Sequence, residues 1–407
     1  MAGTLQKEER MILELLRVSL NKGEKIARTG IPGKDEKEFW EKVIRLAGIH
    51  AVKSLMYDTL CEEKLLTDAL LKSVESSSRI TVRTNYRLLF LTKYVTEFLE
   101  QNGIKAITLK GAATATLYPV PELRKAGDVD ILITEDEACA KACKLLQQEG
   151  YQSAGEQLTL HHMELKSEEG VSIEVHGLLA EPFDSQSVNQ YLKKLLSEYD
   201  KHTVRNDDWG FPLYQPSDGY HAFYLILHML QHFLRAGFGL KNLCDWVVFW
   251  NRDVEEPEKE VFVKMVKESG TEGFVELLTA ACVRYLGLKR ERAGFLLKRQ
   301  IPEEELEAFM KEIFEAGEFG KSENNRMVVM RGTGIGAYVR EFHHQMRLNY
   351  PKAGKIFLLW PVLWVKTLYR FVRNNHTVRG VSGREILKKA ARRSELVERM
   401  RLFESMR

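Results

Sequence analysis

Apolar residues recur at three- and four-residue spacing through the first hundred positions, over 8–20, 37–58, 65–75 and 84–102, with breaks at 30–33 and 76–78. That period predicts amphipathic helices. From Ile104 the period changes. Residues 104–109, 128–133, 162–166 and 171–176 are short, β-branched or alternating runs bounded by Gly or acidic turns, which predicts strands. Two helical patterns, 112–118 and 135–149, lie between them, and the last two strands read as a hairpin joined across Glu168, Glu169 and Gly170. After Leu178 helical spacing returns and stays, over 188–196, 218–235, 240–250, 259–269, 271–285, 290–298 and 303–315. Asp218 suits an N-cap, and Pro302 a helix entry. The segment 385–403 mixes Leu and Met with dense charge and reads as a surface or partner-facing helix. No internal repeat is visible. Four regions follow: a helical N-terminal region at 1–100, an α/β core at 101–180, a helical C-terminal domain at 181–320 and a basic helical tail at 321–407.

Composition excludes disorder and low complexity: 407 residues, 44% hydrophobic and 29% charged, with only 28 Gly and 10 Pro. The net charge of +3 hides a polarity. Residues 321–407 hold 19 Lys and Arg against 6 Glu and no Asp, about +13, which leaves about −10 on the remainder. A tail of that sign invites nucleic acid or an anionic membrane surface. The five cysteines are odd in number and scattered, and no secretory leader pattern precedes them, so a reducing cytoplasm is the expected home. Cys139 and Cys143 stand four apart without a second Cys/His pair at zinc spacing and read as packing residues. No stretch reaches the roughly 18 apolar residues of a spanning helix. The nearest, 356–365, is interrupted by Pro361 and followed by Lys366, Arg370 and Arg373. Its apolar character all round before Lys366 predicts a helix buried in the core, against the alternatives of a membrane interface or a nucleic-acid groove.

The chemistry concentrates in the α/β core. Residues two apart on a strand share a face, so Asp128 and Asp130 point one way while Val129, Ile131 and Ile133 point into the core. Paired carboxylates are unfavourable unless a cation fills the gap, and hard oxygen ligands suit magnesium, which keeps positions for water and phosphate. Val171, Ile173 and Val175 alternate with Ser172, Glu174 and His176, so a third carboxylate leaves a second strand on its polar face. A two-metal phosphoryl-transfer site uses such a third carboxylate on the attacking side. Upstream, the first strand runs into Lys110-Gly111 and a helix, a junction where backbone amides and a mobile cation meet an anion. Arg124 precedes the Asp pair and either pairs with one of them or clamps phosphate with its planar fork. His176 shares the face of Glu174 as a base, a base-positioner or a hydrogen-bonded structural residue. His228 and His232 share a helix face but lack a third zinc ligand, so packing or nucleotide contact is the better reading. Arg235, Lys241 and Asp245 follow and could shape a wall of the site.

Leu109-Lys110-Gly111, a short helix ending in Tyr118-Pro119, then Pro121, Arg124, Asp128-Val129-Asp130-Ile131-Leu132 and Glu174-Val175-His176 together resemble the uncharacterised nucleotidyltransferase family of the DNA polymerase beta-like superfamily. The specific match spans 104–178, and 227–245 is similar to the His-rich helix of such proteins. The resemblance implies a minimal nucleotidyltransferase α/β (α+β) core with a small mixed sheet, embedded in a largely α-helical chain. It implies magnesium, two ions, held by Asp128, Asp130 and Glu174, and a nucleoside triphosphate as co-substrate, with Lys110, Gly111, Arg124 and His176 at the nucleotide. The sequence departs from the wider superfamily where Ala112, in place of Ser, follows Gly111, and Gly177 stands where this family often has Trp. The acceptor is left open among a small hydroxylated molecule, a protein side chain and an RNA end. The rival reading is a catalytically inactive nucleotidyltransferase-like binding protein whose basic tail engages nucleic acid or membrane.

Overall fold

A seven-stranded mixed sheet, its strands in the spatial order 152–153, 162–166, 172–176, 128–132, 107–108, 213–216 and 203–206, divides two apolar layers. The computed structural model describes residues 5–27, 31–153, 162–168, 170–183, 185–234, 237–317, scattered positions between 339 and 350, 353–379 and 395–403. Helices α1 (Lys7–Leu20), α2 (Lys37–Ile49), α3 (Tyr57–Glu62) and α4 (Asp68–Gln101) lead into β1 (Ile107–Thr108), α5 (Ala112–Ala115) and β2 (Asp128–Leu132). Then come α6 (Asp136–Gln148), β3 (Gln152–Ser153), β4 (His162–Lys166), β5 (Ser172–His176), α7 (Gln186–Tyr199), β6 (Thr203–Asn206) and β7 (Leu213–Pro216). The helical remainder is α8 (Asp218–Leu234), α9 (Leu240–Asn251), α10 (Glu256–Ser269), α11 (Glu272–Tyr285), α12 (Arg290–Ala293), α13 (Glu303–Ala316) and α14 (Trp360–Arg379).

The alternation of β2 and β5 decides which side of the sheet does what. Val129, Ile131, Ile173 and Val175 enter a smaller core against Leu88, Val95 and Leu99 of α4 and Leu146 of α6. Asp128, Asp130 and Leu132 therefore face the other side. There Leu132, with Ile107 and Leu109, joins a large helical core that runs from Leu5 through α8, α9 and α11 to Phe403. The predicted hairpin is present as the antiparallel pair β4–β5, while β2 runs parallel to β5 and antiparallel to β1.

Four sequence expectations are corrected. The break at 76–78 does not occur: α4 is one 34-residue helix, and Ser78 stays inside it by bonding its hydroxyl back to the Val74 carbonyl at 3.0 Å. The segment after Leu178 is not helical throughout, because β6 and β7 form an antiparallel hairpin that docks parallel to β1. The 356–365 run is not a core helix. Phe357, Leu358, Val362 and Val365 are exposed, and on α14 Leu363 and Thr367 are the buried positions among those described. The described part of the supposed surface helix at 385–403 is instead core: Leu396, Val397, Met400, Leu402 and Phe403 are all buried. Phe403 packs on Phe183 with ring centroids 5.1 Å apart, and its backbone N–H donates to the Gly270 carbonyl at 2.8 Å.

Helix α8, which carries the histidines, is anchored at its first turn by a neighbour. Glu258 of α10 accepts from the Gly219 N–H at 2.6 Å and the Ser217 hydroxyl at 2.9 Å, so a carboxylate satisfies the end of another helix.

The closing segment 395–403 lies so near α11 that a Cβ on Gly273 would meet the Met400 carbonyl oxygen at 2.0 Å. Gly273→Ala should therefore lever that segment off the core and cost about 1–3 kcal/mol, read as a lower thermal midpoint. An unchanged midpoint would detach 395–403 from the fold.

Candidate active site

The parallel register of β2 and β5 sets Asp130 beside Glu174 and Leu132 beside His176. Paired positions share a face, so a carboxylate from each strand and the His176 ring converge above the sheet. On the other flank of β2, the Leu109 N–H donates to the Asp130 carbonyl at 3.2 Å, which brings the following residue, Lys110, over the same cluster. The chain then turns at Gly111, with φ 58° and ψ −110°, a conformation closed to residues with a Cβ. Helix α5 beyond it is four residues long.

Counter-charges hold the carboxylates together. Lys110 Nζ lies 2.9 Å from Asp130 Oδ1, and His176 Nε2 lies 3.2 Å from the same oxygen and 3.4 Å from Glu174 Oε2. Burial favours the neutral form of Asp130, but Lys110 and His176 outweigh it and hold the carboxyl well below its usual range. Burial opposes charge on His176 too, yet its bonds to Asp130 and Glu174 raise it to about 9. Glu174 is lowered against its burial by the His176 hydrogen bond, and Lys110 is raised against its own by Asp130 and Asp128. Among the described residues Asp128 makes no such close ion pair, and the charges of Lys110 and Lys241 act on it only from a distance. Burial, then the Asp130 charge, push it up to about 7.

The donor set fits a hard divalent cation. Asp130 Oδ2 is buried with no hydrogen-bond partner among the described residues, a costly state for a carboxylate oxygen that a cation would relieve. Ligand atoms of Asp130, Glu174 and His176 lie within 4.8 Å of one another, and with His176 engaged as the proton donor between them the carboxylate oxygens that remain suit magnesium or manganese. Asp128 stands outside this tightest group and lines the adjoining cavity instead.

That cavity, open to solvent, is bounded by Lys110, Gly111, Asp128 and Asp130 on the sheet side and by His228 and Lys241 on the helical side. Burial, followed by the Lys110 charge, pushes His228 well below the usual imidazole range, so the ring is neutral and accepts from Lys110 Nζ at 3.1 Å. His228 thus belongs to the cavity wall. Its neighbour His232 has Nε2 3.1 Å away, and neither histidine joins a group of three metal-binding side chains among the described residues. A second cleft shares Gly111, Arg124, Ala126 and Asp128 with the first and is walled by Leu89, Ala115 and Trp209.

Arg124 lies at both cavities, but its fork is occupied by neither Asp128 nor Asp130. Nε donates to Asp245 Oδ1 at 2.7 Å and Nη2 to Oδ2 at 2.9 Å, while the Tyr118 hydroxyl donates to Oδ1 at 2.6 Å. Asp245 of α9, 121 positions away, ties the loop before β2 to the helical wall. Arg235 lies outside the described residues. Sequence reasoning missed Asn85 and Trp209. Asn85 donates to the Glu122 and Arg124 carbonyls at 2.6 and 2.9 Å and accepts from the Ala126 N–H at 3.0 Å, so α4 shapes the same loop. The Trp209 indole donates to the Ala112 carbonyl at 3.0 Å from the β6–β7 turn. No spacing pattern marks Asn85; Trp209 carries a signal only once its turn is recognised as a hairpin.

Two outcomes follow from this charge arrangement. Asp245→Asn should strand a buried guanidinium and lower stability by about 3–5 kcal/mol, and Arg124→Met added to it should recover most of the loss in a denaturant melt. Asp128→Asn should stabilise the metal-free protein at pH 8. A carboxyl raised to about 7 imposes its penalty fully above that pH and not at all below the unfolded value near 4. The gain should thus shrink as pH falls through 7 and vanish near 4; a pH-independent difference would remove the like-charge explanation.

Residues 36–287, more than half the chain, match a family model described as an uncharacterised nucleotidyltransferase. Among solved structures, an antigenic nucleotidyltransferase-like protein from Paracoccidioides brasiliensis is 18% identical, with a TM-score of 0.30 over 50% of this chain and 93% of that one. No curated protein matches the chain.

Proposed function

Because this chain belongs to the uncharacterised nucleotidyltransferase family, we propose that it is a magnesium-dependent enzyme that moves a nucleoside monophosphate from a nucleoside triphosphate to a hydroxyl-bearing acceptor. The observation that carries this reading is the pairing of Asp130 with Glu174 across β2 and β5, with Asp130 also lining a cavity that Lys110 and Lys241 border.

Asp128, Asp130 and Glu174 are the residues to hold magnesium, Asp130 through its unpartnered Oδ2. Two such ions, when bound, supply the positive charge that offsets the triphosphate and the pyrophosphate leaving group. The protein's own residues do the rest. Lys110, whose side chain is 13% exposed, exchanges its pairing with Asp130 for the incoming phosphates. Lys241 adds charge from α9. The backbone at Gly111 approaches the phosphates without a side chain between. Protonated His176 keeps its Nε2 proton between Asp130 and Glu174 and so fixes both carboxylates. Arg124, engaged by Asp245, acts as a positioning residue for the loop that delivers Asp128.

Division of labour between the carboxylates follows from exposure. The Asp130 side chain is 1% exposed and that of Glu174 24%, so Glu174 is the one an acceptor hydroxyl reaches. A carboxylate held below its usual range is a weak base. Glu174 therefore orients the hydroxyl and takes its proton only as the new O–P bond forms. The apolar cleft beside Trp209 receives the nucleoside, which leaves the acceptor to arrive from the Glu174 side. Small hydroxylated molecules, a protein side chain and an RNA end all meet that requirement.

Calorimetry of the four ribonucleoside triphosphates with and without magnesium, paired with pyrophosphate release on cell extract, tests the assignment. Glu174→Gln should still bind magnesium nucleotide within a few-fold of the parent yet lose transfer by about a hundredfold or more, whereas Asp130→Asn should lose both. Near-normal turnover in Asp130→Asn would take that residue out of the site, and equal loss of nucleotide binding in both variants would contradict the division of roles.

A further inference from the structure

Eight of the sixteen exposed large hydrophobic side chains among the described residues fall between 356 and 369. Phe357 is 71% exposed, Leu358 85%, Val362 55%, Val365 68%, Leu368 52% and Tyr369 64%. Leu358, Val362, Val365 and Tyr369 follow one another at spacings of four, three and four, a line along one side of the turn 357–359 and of α14. The opposite side is already occupied by the chain itself. The Trp360 ring lies 4.4 Å from that of His343, its indole donates to the Gly354 carbonyl at 2.9 Å, and the Trp364 indole donates to His343 Nδ1 at 3.3 Å. Leu363 and Thr367 are buried between them.

An ordinary surface helix turns its polar side to water. Here the outward side is apolar, with Lys366 the exposed charge among residues 356–369. The flanking sequence supplies the rest of the charge in one sign: residues 343–384 contain eight Lys and Arg and no Asp or Glu. An apolar line bordered by cations alone is complementary to a surface that is hydrocarbon below and anionic above. Nucleic acid shares the charge preference but binds by stacking on aromatic faces, and the exposed line is mostly aliphatic. No helix among the described residues is long and apolar enough to cross a membrane, so such an element would lie in the interface. The segment also hangs between two packed anchors, α13 before it and 395–403 after it, both in the large core.

We propose that residues 353–369 dock the protein on an anionic bilayer, with Leu358, Val362, Val365 and Tyr369 lying among the acyl chains and Lys355 and Lys366 on the headgroups. The inference does not depend on the catalytic reading.

Co-sedimentation of the full chain with phosphatidylcholine vesicles, with and without added phosphatidylglycerol, tests it. The expected result is binding to the anionic vesicles about tenfold or more above the neutral ones, weakened but not abolished by salt, because the apolar part of the contact is not screened. Leu358→Glu with Val365→Glu should abolish vesicle binding at an unchanged thermal midpoint, since both side chains are exposed in the free protein. Failure to bind anionic vesicles at low salt would overturn the proposal, as would full binding by the double variant. So would a self-associated form that the double variant dissociates while the parent ignores vesicles, or single-stranded RNA binding that the variant loses in place of lipid binding.

Discussion

Carboxylates cannot be crowded onto one face of a sheet without cations to match, and the strand order around β2 exists in a form that supplies them from both sides. With β5 parallel on one flank and β1 antiparallel on the other, the end of β5 places His176 and the end of β1 places Lys110 against the same Asp130 oxygen. Reversing either neighbour would leave Asp130 buried with one cation or none. The mixed character of the sheet is thus what lets both cations reach one carboxylate. Asp128, one pleat further out and without a close ion pair among the described residues, is the member that burial and the Asp130 charge push up, and it lines the cavity where a cation would arrive.

A second buried ion cluster makes the first usable. Tyr118 and Arg124 flank the loop that enters β2, and Asp245 gathers both from the far side of the cavity. That tie fixes the loop to α9 and with it the separation across the cavity between Lys110 and Lys241. Asn85 performs the same service from α4 by bonding backbone on both sides of Arg124. The candidate site is thereby framed by residues drawn from α4, the sheet and α9 together, so helices that precede and follow the sheet in sequence both belong to its frame.

Much of the core was legible because period and chemistry agree there. The alternation of 128–133 and 171–176 placed Asp128, Asp130, Glu174 and His176 on faces that the structure reproduces, and the Gly111 turn has the positive φ expected of a close backbone approach. What escaped has physical reasons. The serines at 76–78 read as a break because their hydroxyls compete with the helix, yet Ser78 is buried and bonds within it. Strands β6 and β7 are mostly polar and half-exposed, so their alternation is faint, and only the turn at Asp207–Gly210 marks them. The partner of Arg124 sits 121 residues away with no local pattern linking the two, so nearness in sequence pointed to Asp128 and Asp130 instead.

The basic tail shows why an apolar all-round helix is an ambiguous signal. Such a helix is usually buried on every side, but α14 needs only its inner line, Trp360, Leu363, Trp364 and Thr367, to pack on its own neighbouring turns. The outer line is then apolar without being covered. Sequence position misleads as well, for the stretch beyond it returns to the large core, closing against α11 at Gly273 and, through the Phe403 N–H, against Gly270 at the end of α10. The peripheral element is therefore internal to the chain and the terminal element is structural. Removing everything after Tyr350 would strip buried Leu396, Val397, Met400 and Phe403 along with α14, so a collapse of that truncation says nothing about α14 itself. Only substitutions on its outer line separate what it touches from what the chain's end holds together.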